Sequence, residues 1–247
     1  MRADWSGVYL GLHAGAGWSK SGSELVDPPP LLTLMDAIGI PSSSSHDLDG
    51  FLAGGHVGIQ RQFGGLVLGI EASFSGGRLD GSSSTAFDGV IGLPPIAGVT
   101  WDGETTSTTK VGEIFTATGR VGYAWDRWLT YVKGGYATAE VSQASRTGVD
   151  VSLCGLGVCL PASGGGSTRS DERHHGWVLG GGFEYMITSN VTFGIEYNYI
   201  DLGAKTHSSV TTIDVSGVGS GSFDSRTRVD MDAIHAVYAR LNFKVSD

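Results

Sequence analysis

RHHGWVLGGGFEYMITSNVTFGIEYNYIDLG, residues 173–203, is the stretch that decides the fold. Trp177, Leu179, Phe183 and Tyr185 fall on one face of an extended segment, and Gly176, Gly180, Gly182 and Glu184 on the other. Thr188-Ser189-Asn190 interrupts the pattern, which then resumes. Val191, Phe193, Ile195, Tyr197 and Tyr199 share one face, against Thr192, Gly194, Glu196 and Asn198. Alternation with period two is the pattern of a strand with one apolar face. It persists for about ten residues per strand, where soluble sheets use about 5–6 and a tilted membrane-spanning strand needs ~9–11. Aromatic residues at both ends of the apolar face suit a strand that crosses two membrane interfaces.

The same unit recurs on both sides of this hairpin. The expected strands cover about 5–19, 50–63, 66–75, 111–124, 128–141, 173–187, 191–203 and 229–245. Their connections alternate strictly. Residues 20–49, 76–110, 142–172 and 204–228 make long ones; Gly64-Gly65, Trp125-Asp126-Arg127 and Thr188-Ser189-Asn190 make short turns. Structureless connections beyond ~12–15 residues are uncommon in compact domains, so four of them on one side imply two different environments. Within the first, Leu31 to Ile40 has the spacing of a short amphipathic helix.

Backbone groups left unpaired in lipid are too costly, so such a sheet must close on itself. The expected fold is therefore all-β: one domain over residues 1–247, an eight-stranded antiparallel up-and-down transmembrane β-barrel. It has four long extracellular loops and three short periplasmic turns, the layout of the cell outer membrane. Tyr123, Trp125, Trp128, Tyr185, Phe193 and Phe243 lie near the short-turn side. Trp18, Phe51, Phe74, Phe115, Tyr136, Trp177 and Tyr199 lie near the long loops. These form two girdles, which a soluble lipocalin-like barrel with inward apolar residues would not need.

Composition excludes other classes. The 40 glycines in 247 residues exceed twice the usual share of about 7% and sit inside the strands and Ser-rich connections. No run approaches the ~18 apolar residues of a membrane helix. The net charge of −9 argues against nucleic acid as a partner, which calls for basic patches. Cys154 and Cys159, in CGLGVC, are expected to form a disulfide in an oxidising compartment, the alternative being two free thiols. Met1-Arg2-Ala3 runs straight into strand-like Asp4-Trp5, which reads as a mature chain carrying an added initiator Met rather than a cytosolic protein.

DWSGVYLG near the start, VLGIEASF at 67–74 and GRVGYAWDRWLTYVKGGYA at 119–137 resemble a known family. So do GGGFEYMITSNVTFGIEYNYIDLG at 180–203 and HAVYARLNF at 235–243. The family is that of small outer-membrane β-barrels of alphaproteobacterial surfaces, porin-like major surface antigens related in architecture to the OmpA membrane domain. The resemblance spans all eight strands, is most specific in the last two hairpins, and does not extend to the long loops. It implies a structural and surface role without catalytic residues, some relatives binding haem-type ligands or acting as weak porins. The family usually ends in an aromatic residue; here Lys244-Val245-Ser246-Asp247 follow Phe243, so either Phe243 serves instead or the assembly signal is unusual.

With the apolar faces in lipid, the opposite faces line the interior. That face carries Glu71, Arg120, Lys133, Glu184, Glu196 and Arg240, three acids and three bases, together with His13, His56 and Tyr131. An eight-stranded barrel is just wide enough for side chains to fill, and enclosed charges must pair. The expected result is a salt-bridged plug closing the lumen; the sharper alternative is a narrow pore. His13, His56 and Glu71 on consecutive strands also admit general-base chemistry, with Ser73 two residues from Glu71, but hydrogen-bonded filling is the simpler role. No cofactor or metal site is expected. His174-His175 at the rim, with His46 and His207 in loops, offer imidazoles to haem iron or a metal, but adjacent strand residues point opposite ways, and solvated rim residues are the simpler reading. The loop acids Glu24, Asp27, Asp36, Asp47, Asp49, Asp80, Asp88, Asp102 and Glu104 read as hydrated surface or as contacts, through divalent cations, to lipopolysaccharide. Leu31, Leu32, Leu34 and Met35 add an apolar patch suited to other loops or other copies.

Overall fold

The computed structural model describes the backbone of residues 4–26, 43–93, 97–203, 205–215 and 219–246, and among these not the side chains of 23–26, 43–44, 93, 205–230 and 246. Among the described residues ten strands follow in order: β1 Gly7–Val26, β2 Ser43–Phe63, β3 Leu66–Leu93, β4 Ala97–Trp125 and β5 Trp128–Gly155. β6 Val158–Thr188, β7 Val191–Asp201, β8 Lys205–Val215, β9 Gly219–Met231 and β10 Ile234–Ser246 complete them. Consecutive antiparallel pairing joins β1 through β7, β7 pairs with β10, and β10 returns to β1. The ring therefore closes with eight strands, as the alternation requires. Gly64-Gly65, Asp126-Arg127 and Ser189-Asn190 are the two-residue turns on its short-turn side.

The lipid face is the apolar one. Leu12 is 64% exposed, Ile70 64%, Val132 62% and Phe183 59%, values that suit hydrocarbon rather than water. No helix among the described residues is long and apolar enough to cross a membrane. Rings pair where the girdles were expected: Trp128 against Tyr185 with centroids 4.8 Å apart, and Trp177 against Tyr199 at 5.4 Å.

The strands run well past the ends read from the alternation. Residues 76–110 and 142–172 are not loops along most of their length: β3 and β4 stay paired up to Leu93 and Ala97, and β5 and β6 up to Gly155 and Val158. β8 and β9 lie within residues 204–228 and the start of the last expected strand. β9 pairs with the upper part of β1, and β8 with Gly164–Ser167 of β6, so these two strands take the flanking places that β7 and β10 hold below. The physical reason the sequence hid this is partly a β-bulge. Between Ser75/Leu79 and Val111/Ile114 the register slips, and Gly112-Glu113 oppose a single residue of β5. An extra residue reverses which side chains face inward. Below it Ile114, Thr116, Thr118 and Arg120 are buried; above it Val111, Thr109 and Ser107 are. The proposed helix at Leu31 to Ile40, with Leu31, Leu32, Leu34, Met35, Asp27 and Asp36, lies outside the described residues. The side chains of Glu24 and His207 do as well.

Candidate functional site: a layered lumen

The inward-facing side chains of the barrel stand in three layers. At the periplasmic end Trp5 tucks into the mouth and packs with Val67, Ala124, Leu129, Tyr131 and Met186. Two glutamine side chains hold its backbone: Trp5 N–H donates to Gln62 Oε1 at 2.8 Å, and Gln60 Nε2 donates to the Trp5 carbonyl at 2.7 Å. Outside the membrane span, Asp4 accepts from the Ser6 N–H at 2.9 Å, which holds its carboxyl below the usual carboxylate value.

The middle layer holds the six charges. Glu71 is its hub. Lys133 Nζ lies 3.0 Å from Glu71 Oε1; Arg120 Nη1 lies 3.7 Å from Oε2, to which Arg240 also donates. Lys133 reaches Glu196 at 2.7 Å, Arg240 also bonds Glu196, and Arg120 reaches Glu184 at 3.0 Å. Two phenols complete the network. Tyr9 donates to Glu71 at 2.8 Å and accepts from Arg120 at 2.9 Å. Tyr131 donates to Glu196 at 2.6 Å and accepts from Arg240 at 3.1 Å, while the Arg120 guanidinium lies 3.9 Å over its ring. Glycine makes the room: a Cβ on Gly58 would stand 2.3 Å from the Tyr9 hydroxyl, and one on Gly182 would stand 2.9 Å from that of Tyr131.

Beside the charges, His13 and His56 form a hydrogen-bonded chain. Their Nδ1 atoms are 3.2 Å apart, so one carries the proton and the other accepts it. His56 Nε2 faces Asn242 Oδ1 at 2.6 Å, an acceptor. With both rings neutral, His56 donates to Asn242, His13 donates to His56, and the Ser75 hydroxyl donates to His13 Nε2 at 2.8 Å. Asn242 Nδ2 passes the chain on to Thr192 at 2.9 Å. Ser75, not Ser73, is the hydroxyl at the imidazole; Ser73 bonds Thr116 at 2.7 Å. The cavity beside this cluster is about 10 Å³, the space of a single water. The one at the periplasmic mouth is about 30 Å³.

The extracellular layer is apolar, which the polar-interior expectation missed. Leu48, Leu52, Leu79, Val111, Ile114, Val141, Val178, Ile200 and Ile234 form one buried cluster with the alanines and Tyr238 around them. The sequence carried a signal for it. Phe51-Leu52-Ala53, Trp177-Val178-Leu179 and Tyr199-Ile200 break the alternation with apolar neighbours on both faces, as strands buried on both sides do.

Of the rim histidines, His174 is buried and His175 exposed, so they part to opposite faces. His174 is thus no solvated rim residue; His175 stacks against Tyr136 with centroids 6.0 Å apart. His46 is half-buried above the membrane, and that burial lowers its pKa. No group of three or more metal-ligating side chains gathers among the described residues. Cys154 and Cys159 are joined by a disulfide at the β5–β6 tip.

Comparison with known proteins adds to this geometry. The chain is 32% identical over 242 residues to the 31 kDa outer-membrane immunogenic protein of Brucella melitensis, covering 97% of this chain and 83% of the relative. The protein of the same name in Brucella suis matches to the same extent. Among solved structures, Ail of Yersinia pestis aligns over 97% of this chain and 99% of its own, with 9% identity and a TM-score of 0.31. Residues 2–221 match the outer membrane protein beta-barrel domain, in keeping with the closed ring and its apolar outer face. The chain belongs to the outer membrane protein β-barrel family and resides in the outer membrane.

Proposed function

We propose that this barrel is a structural and surface protein whose lumen is closed, with no catalysis, and whose protruding hairpins make contacts with lipopolysaccharide, other copies or surface partners. One observation carries the closed-lumen part: Glu71 is taken up by three cations and a phenol, leaving about 10 Å³ beside it. An unpaired buried charge costs several kcal/mol, so opening this layer for ions is expensive. The apolar layers on either side add a barrier to water. Against catalysis stands the same crowding: the Ser75–His13 pair has no room beside it for a substrate. Surface contacts are supported by the length of β3 through β6 beyond the lipid belt and by relatives that are named immunogenic.

Planar-bilayer recording tests the reading. The purified protein is expected to insert without steady single-channel steps; reproducible steps would favour a small pore instead. Hydrolysis or acyl transfer on added lipid, abolished by His13→Ala, would overturn the non-catalytic part.

A further inference from the structure

We propose that the upper edge of β3, from Ser84 to Gly92, is a docking edge for an extended polypeptide strand that alternates apolar and basic residues. The proposal deepens the surface-contact part of the reading above and rests on it. The β2–β3 ladder ends at Asp49 opposite Asp80, whereas β3 continues paired with β4 as far as Leu93 opposite Ala97. Among the described residues no strand pairs with the other side of β3 over Ser84–Gly92. At ~3.3 Å per residue this is roughly 30 Å of edge.

Long unpaired edges template strand addition, and proteins normally blunt them with lysine, proline, bulges or inward charges. Ser-Thr-Ala-Phe-Asp-Gly-Val-Ile-Gly carries no lysine or proline, and its ladder with β4 has no register shift. Its single charge is Asp88. The membrane ring below removes its own edges by closure, so this one stands out.

The two faces specify the partner. One face continues that of buried Leu79, Val111 and Val141 and becomes apolar near the tip. There Phe87 lies across Gly103 and Trp101 across Gly89, cross-strand aromatic–glycine pairs that bury both rings above the membrane. Ile91, Val99, Leu153 and Leu160 follow as one row across β3 to β6. The opposite face carries Asp88, Asp102 and Asp150, three exposed carboxylates directly opposite one another on adjacent strands. Like charges so placed destabilise a sheet. None of the three has an ion-pair partner among the described residues. The row ends at the free edge, so a lysine or arginine on an added strand falls beside Asp88, while that strand's apolar residues extend the Phe87 and Ile91 face.

The test uses the full chain in lipid nanodiscs and an acetylated decapeptide alternating valine with lysine and threonine. Hydrogen exchange is followed by mass spectrometry. Without peptide, segment 84–92 exchanges at alternate amides; with peptide, those amides slow about tenfold or more, since each backbone hydrogen bond gained resists opening. The same peptide N-methylated along one edge binds about tenfold more weakly, because it cannot donate. Asp88→Lys weakens the lysine peptide about threefold and favours a glutamate version to a similar degree, as expected for one cross-strand charge pair. Segment 84–92 already slow in the free protein, or equal binding of the N-methylated peptide, would overturn the docking edge. Protection confined to other parts of the protruding hairpins would also overturn it, while leaving the surface-contact reading intact.

Discussion

At the scale of single residues, the charge layer is unequal. Glu71 meets Lys133, Arg120, Arg240 and Tyr9, whereas among the described residues Glu184 pairs with Arg120 alone. Breaking a buried ion pair by removing one partner costs about 3–5 kcal/mol, because the other charge is left uncompensated. Glu71→Gln is expected to reach that range in urea unfolding from lipid vesicles. Glu184→Gln is expected to cost clearly less, since Arg120 keeps Glu71 and Tyr9. Equal losses from the two would mean that the layer has no hub. The face on which each charge sits follows from counting by twos along its strand, which the sequence alone supplies. Which charges meet does not, because Arg240 on β10 and Glu71 on β3 approach across the lumen rather than along a ladder. Tyr9 and Trp5 were likewise ordinary members of an alternating strand until the closed ring put one beside Glu71 and the other in the mouth.

At the scale of elements, alternation told lipid face from lumen face wherever it was clean, and it misled where it was not. The bulge at Gly112-Glu113 reverses the inward side of β4, and the Ser/Thr-rich continuation looked like loop because neither face was strongly apolar. Only the tip regains apolar residues, and there the β5–β6 hairpin shows its own logic. Leu156 and Gly157 both have positive φ, 52° and 83°, as a two-residue type I′ turn requires. The turn thus sets the register that places Cys154 opposite Cys159. Leucine is poorly suited to that conformation, by roughly 1–2 kcal/mol. Leu156→Asn, which creates the favoured Asn-Gly pair, is expected to slow amide exchange at the tip. Replacing both cysteines with serine is expected to speed exchange there without moving the unfolding midpoint of the barrel. A large drop in that midpoint would show that the tip and barrel unfold together.

At the scale of the whole molecule, two tiers share one set of strands. The lower tier closes through β7 and β10 and contains the charge layer and the lipid belt. The upper tier swaps in β8 and β9 and extends β3 to β6 into solvent. Nothing in the lower ring needs the upper one for its hydrogen bonds, because each lower strand has two neighbours below Asp80 and Lys110. Those two residues are cross-strand partners. Replacing 81–109 by an Asn-Gly turn therefore joins positions already at hairpin distance. The shortened chain is expected to fold into a barrel that still migrates differently on a gel before and after boiling, as a closed sheet in detergent does. It should also stay electrically silent in a bilayer, since Glu71, Arg120 and the apolar layer beneath the cut remain. Failure to fold would mean that the protruding sheet nucleates the ring, because β3–β4 pairing is then needed before distant β1 and β10 meet. A folded but conducting barrel would shift the seal from the charge layer to the upper tier.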